Sequence, residues 1–330
     1  MKIYKSSLYF IFVVFVAVVY AIALSSLPNE FFRDRGNYII YASDTDNIIS
    51  RYTGLSLFSN EPLFLLINKF SSLFLSPELV PKLFVFFISF TICFFILYKS
   101  ENFIIGLLGL IAILLLPQGF HLQFVILRQG IATCILLWIT YFFWSKKYYL
   151  FYVFLIGFIH SGVFIIFAFL VLDKLFLSFI SKKITYRILF LLAFSILVSF
   201  FIMPLAEILT MRQAKEHVAD NITISGGNFI LYGFILIALL TQKKEIHRLD
   251  GIYNIAIIGL SIYIGMYFFT QLSGRLISSF IPFIICTLCY FGNARAYVLL
   301  ILIIVINSII FINTIVNNSL TNEGVRMLIG

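Results

Sequence analysis

A chain of 330 residues that is 62% hydrophobic and 11% charged, with a mean hydropathy of +1.07, belongs in a bilayer rather than in water. Its 40 phenylalanines suit helices that face lipid. The net charge of +9 does not point to nucleic acid, because its distribution follows the way the chain threads the membrane.

A helix crossing the hydrocarbon needs about 20 mostly apolar residues. This criterion predicts spans near 8–27, 79–98, 103–117, 121–144, 148–160, 162–180, 185–203, 228–241, 252–270, 275–291 and 297–316. The fold class is therefore all-α, a polytopic integral membrane protein of about 10–11 transmembrane helices, read as a single transmembrane domain over residues 1–330. The apolar run from Leu8 to Leu24 exceeds a signal-peptide core of about 7–15 residues, so the first span reads as an uncleaved anchor. Residues 62–76 are too short and too polar to cross. Leu63, Phe64, Ile67 and Phe74 can share one face there, with Asn68, Lys69 and Ser72 elsewhere, which suits a helix lying in the interface. The stretch 148–180 reads as one long tilted helix with a tail, or as a hairpin turning at His160-Ser161-Gly162. Cys93, Cys134, Cys286 and Cys289 all fall in apolar runs and read as small buried hydrophobes, not as metal ligands or disulfide partners.

Short basic loops set the orientation. Lys2 and Lys5, Lys146 and Lys147, Lys182, Lys183 and Arg187, and Lys243, Lys244 and Arg248 all fall on the cytoplasmic side if the chain crosses eleven times. The inner side then holds 13 Lys+Arg against 4 Asp+Glu, and the outer side 10 against 10. The whole net charge is topological, while the outer face mixes both signs in longer loops near 28–78 and 204–227.

The candidate site residues lie on that outer face. The first loop carries Asp34, Arg35, Asp44, Arg51 and Glu61, and the second carries Arg212. Arg128 lies about two turns into the span that starts near His121, and seven residues apart on one helix the two share a face. A charge in an apolar helix costs about 2.5–3.5 kcal/mol at mid-bilayer and less near the interface, so Arg128 points to function or to a buried partner. Arg275 opens a late span and lies at i, i+3 and i+4 with Ser278 and Ser279. Alone at a span end it reads first as an arginine reaching for the headgroups. His160 alone reads as a structural histidine, and the acidic pair Asp44 and Asp46 as a solvated loop.

Taken in order, several pieces resemble the EpsG/Wzy group of bacterial polysaccharide polymerases. They are Arg33-Asp34-Arg35-Gly36-Asn37-Tyr38, Asn60-Glu61-Pro62-Leu63-Phe64, Leu127-Arg128-Gln129-Gly130-Ile131-Ala132, Phe158-Ile159-His160-Ser161-Gly162 and Ser273-Gly274-Arg275. The arginines flanking Asp34 and the weakly patterned 204–227 loop depart from the group. The resemblance implies transfer of a growing glycan from undecaprenyl diphosphate to a new lipid-linked oligosaccharide repeat unit, outside the inner membrane. It implies lipid-linked oligosaccharides as substrates, a chain-length regulator protein as partner, membrane lipid as surroundings and no nucleic acid. Arg128 and Arg275 are the candidates for receiving the diphosphate, and His160 for the base, with Asp34 and Glu61 as rivals or sugar ligands. Asp34, Arg35, Asp44, Arg51, Glu61, His121 and Arg212 are the candidate substrate-binding residues. No acidic cluster has metal-ligand spacing and no cofactor is called for, so the reaction is expected to be metal-independent. A flippase for the same lipid-linked sugar and a membrane acyltransferase acting on glycans are the competing readings.

The orientation predicts that a cysteine placed at Asp44 reacts with an impermeant thiol reagent in intact spheroplasts and that one placed at Lys244 does not. The opposite labelling pattern inverts the topology.

Overall fold

The computed structural model describes residues 7–52, 60–177, 184–208, 226–242, 250–270 and 272–316. Among these the regular elements are all helical. In chain order they are α1 (Ser7–Ser25), α2 (Arg35–Ser43), α3 (Thr45–Ser50), α4 (Pro62–Ser72), α5 (Leu79–Lys99), α6 (Phe103–Leu115), α7 (Pro117–Phe124), α8 (Leu127–Phe143), α9 (Tyr149–Ile156), α10 (Gly162–Val171), α11 (Ile184–Ile208), α12 (Gly227–Leu240), α13 (Asp250–Met266), α14 (Leu272–Phe291) and α15 (Ala294–Val316). A 3₁₀ turn at Asn29–Phe31 precedes α2, and a π-helical turn, Leu172–Leu177, extends α10. By length and composition α1, α5 and α14 are each able to cross a bilayer. The pair α6 and α7 would qualify together but is bent by 81°.

The chain divides into two compact units. The first comprises Met1–Asp44, Asn68–Cys134 and Ile285–Gly330, and the second Thr45–Ile67 and Ile135–Ile284.

In the first unit α1 lies along α5. Only Val13, Ala17 and Ala21 of α1 are buried, a stripe of small side chains at four-residue spacing that lets two backbones approach. Leu8, Ile11, Phe12 and Phe15 stay exposed, which lipid tolerates and water would not. On α5, Phe86, Phe90, Phe94 and Tyr98 recur every fourth residue, and successive rings stack at 6.3, 6.0 and 5.2 Å. The Tyr20 hydroxyl donates to Gln123 Oε1 at 3.1 Å and ties α1 to α7.

The bend between α6 and α7 has a local cause. Leu116 precedes a proline and is extended (φ −66°, ψ 120°), while Pro117 occupies the first turn of α7, where its missing N–H costs nothing. Gly119 makes the turn tight enough. A Cβ there would lie 2.2 Å from the Ile113 carbonyl oxygen.

The second interruption corrects the predicted span 121–144, which is not one helix. It breaks at Val125–Ile126, with α7 on one side and α8 on the other. His121 therefore sits in the last turn of α7 and Arg128 is the second residue of α8, so the two do not share a helix face. A continuous helix would pair the Phe124 carbonyl with the Arg128 N–H. Here Arg35 Nε donates to that carbonyl at 2.8 Å, and the Arg128 N–H faces the Tyr38 hydroxyl at 3.5 Å, a long contact.

In the second unit, α9 and α10 form a hairpin. Phe154 meets both Phe164 (5.6 Å) and Phe167 (5.4 Å), so the chain runs back on itself through His160-Ser161-Gly162. Of the two readings of 148–180, the hairpin is the one adopted. Helix α13 packs against α11, α12 and α10.

Helix α4 forms where an interfacial helix was expected, but with a different face inward. Phe64, Leu65, Asn68 and Ser71 are buried, whereas Leu66, Phe70 and Phe74 are exposed. Beside lipid an aromatic face can turn outward without penalty, and the polar Asn68 is the group better kept inside.

Candidate functional site

The polar residues gather in two clusters, one in each unit. In the first, Asp34 adopts the left-handed conformation (φ 64°) and starts α2, where its carboxylate accepts from Asn37 Nδ2 at 3.4 Å. Helix α2 buries Arg35, Tyr38 and Ala42, spaced to lie on one face. Arg35 is 2% exposed. Besides holding the Phe124 carbonyl, it donates through Nη1 to Asn29 Oδ1 at 3.3 Å and lies 5.0 Å over the Phe32 ring. Phe32 in turn stacks on Phe124 at 4.9 Å, and Asn29 donates to the Glu78 carbonyl at 2.9 Å. Burial pulls the Arg35 guanidinium down to about 10, partly opposed by Tyr38, which leaves it cationic at neutral pH. Its Nε and Nη1 are thus engaged by the protein, and their evident effect is on the path of the α7–α8 backbone.

That path puts Arg128 on the first turn of α8, half-buried, with its guanidinium 5.7 Å from the Tyr41 ring centre. Burial raises the Tyr38 phenol, and the nearby Arg128 charge partly offsets the rise, so Tyr38 stays neutral at pH 7. The first turn of a helix already carries partial positive charge. A guanidinium there costs about 0.3–1 kcal/mol for the helix alone and favours an anion placed beside both.

His121 completes this cluster. Its carbonyl accepts from both Val125 and Ile126 N–H at 2.9 Å, and the charges of Arg33 and Asp34 act on its ring. Among the described residues His121 Nε2 is sheltered from solvent with no hydrogen-bond partner, and so is Gln118 Oε1 one turn earlier. Gln118, Tyr38 and Tyr41 were not among the predicted site residues. For Gln118 and Tyr38 the signal was helical spacing, three residues from His121 and from Arg35 respectively, while Tyr41 lies off the Arg35 face and had no such signal. Asp44 ends α2, its N–H bonding the Ile40 carbonyl at 2.9 Å.

In the second unit the Glu61-Pro62 segment docks on the hairpin turn. Glu61 Oε1 lies 2.8 Å from His160 Nδ1 and accepts the Ser161 N–H at 3.2 Å. The Leu63 N–H donates to the Phe158 carbonyl at 3.0 Å. Glu61, 4% exposed, is also left-handed (φ 61°). The pair is 99 residues apart in sequence, and no local spacing announces it. Gly162 leaves room for the ring, since a Cβ there would meet His160 Nε2 at 2.9 Å. Arg51, which follows α3, and Arg275, the fourth residue of α14, are both exposed, whereas Ser278 and Ser279 are buried beyond Arg275. Arg212 lies outside the described residues. Among the described residues no three His, Cys, Asp or Glu side chains gather as a metal site.

The sequence profile of the EpsG family matches residues 8–325. The chain belongs to the EpsG family. The match runs from α1 to beyond α15 and takes in both clusters. Membership together with the long apolar helices makes this EpsG-family chain a multi-pass membrane protein with a polysaccharide-polymerase type of role in polysaccharide biosynthesis. Neither a curated protein nor a solved structure matches it.

Arg35→Met leaves the buried Phe124 carbonyl without its donor and is expected to lower stability by about 1–3 kcal/mol, with Tyr38→Phe costing about 0.5–1.5 kcal/mol. Thermal unfolding in detergent measures both, and an unchanged melting temperature for Arg35→Met would show that Arg35 does not hold the break. A double-mutant cycle on Glu61→Ala and His160→Ala should give a coupling of about 0.5–3 kcal/mol. Additive losses would mean that the two side chains do not interact.

Proposed function

We propose that this protein polymerises undecaprenyl-diphosphate-linked oligosaccharide repeat units into a surface polysaccharide, O-antigen or capsule. The transfer takes place on the outer face of the bacterial inner membrane. The observation that carries this reading is the helix break that sets the Arg128 guanidinium at the start of α8, where helix and side chain together favour an anion.

The reaction asks for little else. The acceptor hydroxyl oxygen attacks the anomeric carbon of the donor glycan, the bond from that carbon to the phosphate oxygen breaks, and undecaprenyl diphosphate departs with the electron pair. Negative charge grows on the diphosphate as it leaves, and a planar guanidinium can hold two of its oxygens. Arg128 and Arg275 take this role. His160 receives the hydroxyl proton. A neutral imidazole that donates Nδ1–H to Glu61 keeps a lone pair on Nε2 for the purpose, and the Ser161 N–H fixes the carboxylate. Asp34, Asp44, Arg51, His121 and Arg212 supply hydrogen bonds and charge to sugar and phosphate, and no metal is needed. Growing polymer is handed on with the aid of a chain-length regulator protein.

A flippase for the same substrate is the second reading. The discontinuous α7–α8 segment supports it, because transporters build their sites from broken helices. A deletion strain separates the two. Loss of long polysaccharide with single-repeat lipid-linked product still reaching the outer face supports the polymerase, and product stranded inside supports the flippase. In the complemented strain Arg128→Ala and Arg275→Ala should abolish elongation while the protein stays in the membrane, and Arg128→Lys should give shortened chains. Wild-type ladders from both alanine variants would overturn the assignment.

A further inference from the structure

A second set of charges, in the second unit, has no part in that chemistry. A cavity of about 590 Å³ is bounded by Trp144, Lys146, Lys147, Lys174, Arg187 and Asn254, with Asp173 in its wall. By the distribution of basic loops this end of the chain faces the cytoplasm. A rule about loop charge accounts for how many cations are present. It does not account for the way they are held.

Asp173, 1% exposed, pairs with Arg187 through Nε at 2.9 Å and Nη2 at 2.5 Å, which leaves the Nη1 edge of the fork for another acceptor. Lys174 donates to the Trp144 carbonyl, and its ammonium lies 3.7 Å from the Trp144 ring centre and 4.3 Å from that of Tyr149. Tyr149 is fixed by a 3.2 Å hydrogen bond with Thr140. Both Asp173 and Lys174 sit on the π-helical turn, an irregularity found frequently at functional sites. Lys146 and Lys147 are exposed at the rim. Among the described residues four cationic side chains thus surround a cavity with one carboxylate in its wall.

We propose that this cleft binds a phosphate group. Cations converging from several elements suit a tetrahedral anion with three or four acceptor oxygens better than a planar carboxylate. Trp144, Tyr148 and Tyr149 are the residue types that settle at the headgroup level, next to the cleft. The phosphate is carried by an acidic phospholipid of the inner leaflet or by a soluble phosphate ester. The assignment uses none of the residues given to glycan transfer and stands apart from that reading.

Full-length protein in detergent tests it by native mass spectrometry with dioleoyl phosphatidylglycerol and dioleoyl phosphatidylcholine, alongside equilibrium binding of glycerol 1-phosphate. The variant is Lys146→Gln/Lys147→Gln, at two exposed positions. Lys182→Gln/Lys183→Gln, two further lysines that the charge distribution puts on the same side of the membrane, is the control for diffuse charge. Preferential retention of phosphatidylglycerol that falls about tenfold in the first variant and not in the control identifies a headgroup site. Saturable glycerol 1-phosphate binding lost in the first variant alone identifies a soluble ester. Equal losses in the two variants, retention unaffected by the first variant, or no preference and no binding overturns the proposal.

Discussion

Between Phe124 and Arg128 one helical hydrogen bond is replaced by two side chains from elsewhere. Arg35 takes the carbonyl and Tyr38 faces the amide. An unpaired backbone group in a lipid-surrounded interior costs several kcal/mol, so a break in an apolar helix persists only if both halves of the lost bond find partners. The first polar loop supplies them from a single short helix, with Arg35 and Tyr38 one turn apart. The Phe32–Phe124 stack and the Asn29 bonds hold Arg35 in turn. The position of Arg128, and with it the anion-favouring turn of α8, depends on this substitution.

The two clusters share a second device. Among the described residues Asp34 and Glu61 are the non-glycine positions with positive φ. A left-handed residue other than glycine costs on the order of 1–3 kcal/mol and is kept only where the surroundings over-determine it. At Asp34 the Tyr38 N–H returns to its carbonyl at 3.1 Å, and at Glu61 the Phe64 and Leu65 N–H groups do the same at 3.0 and 3.3 Å. Each turn directs the chain into a helix whose first residues do the contacting, Arg35 in one case and Leu63 in the other.

Apolar run length carried most of the helical layout, because the bilayer demands a minimum stretch and composition reports it directly. The hairpin at His160-Ser161-Gly162 was visible as one of two options, since a small residue after a polar pair permits a turn without requiring it. The break at Val125–Ile126 was not visible. No proline or glycine occupies those two positions, and the side chain that takes the freed carbonyl, Arg35, lies 89 residues upstream. On α4 the polar Asn68 is buried while Leu66 and Phe70 are exposed, an arrangement that the share of polar and apolar residues did not announce. Glu61 and His160 were legible as parts of separate motifs, but their pairing was not, because periodicity says nothing about contacts between distant segments.

A chain synthesised from its N-terminus exposes Arg35 long before Phe124 exists. Beside the break Gly130 allows the close approach, since a Cβ there would lie 2.5 Å from the Leu122 carbonyl oxygen. The break thus joins segments far apart in the sequence, and both its carbonyl and its amide are answered from one short helix, α2.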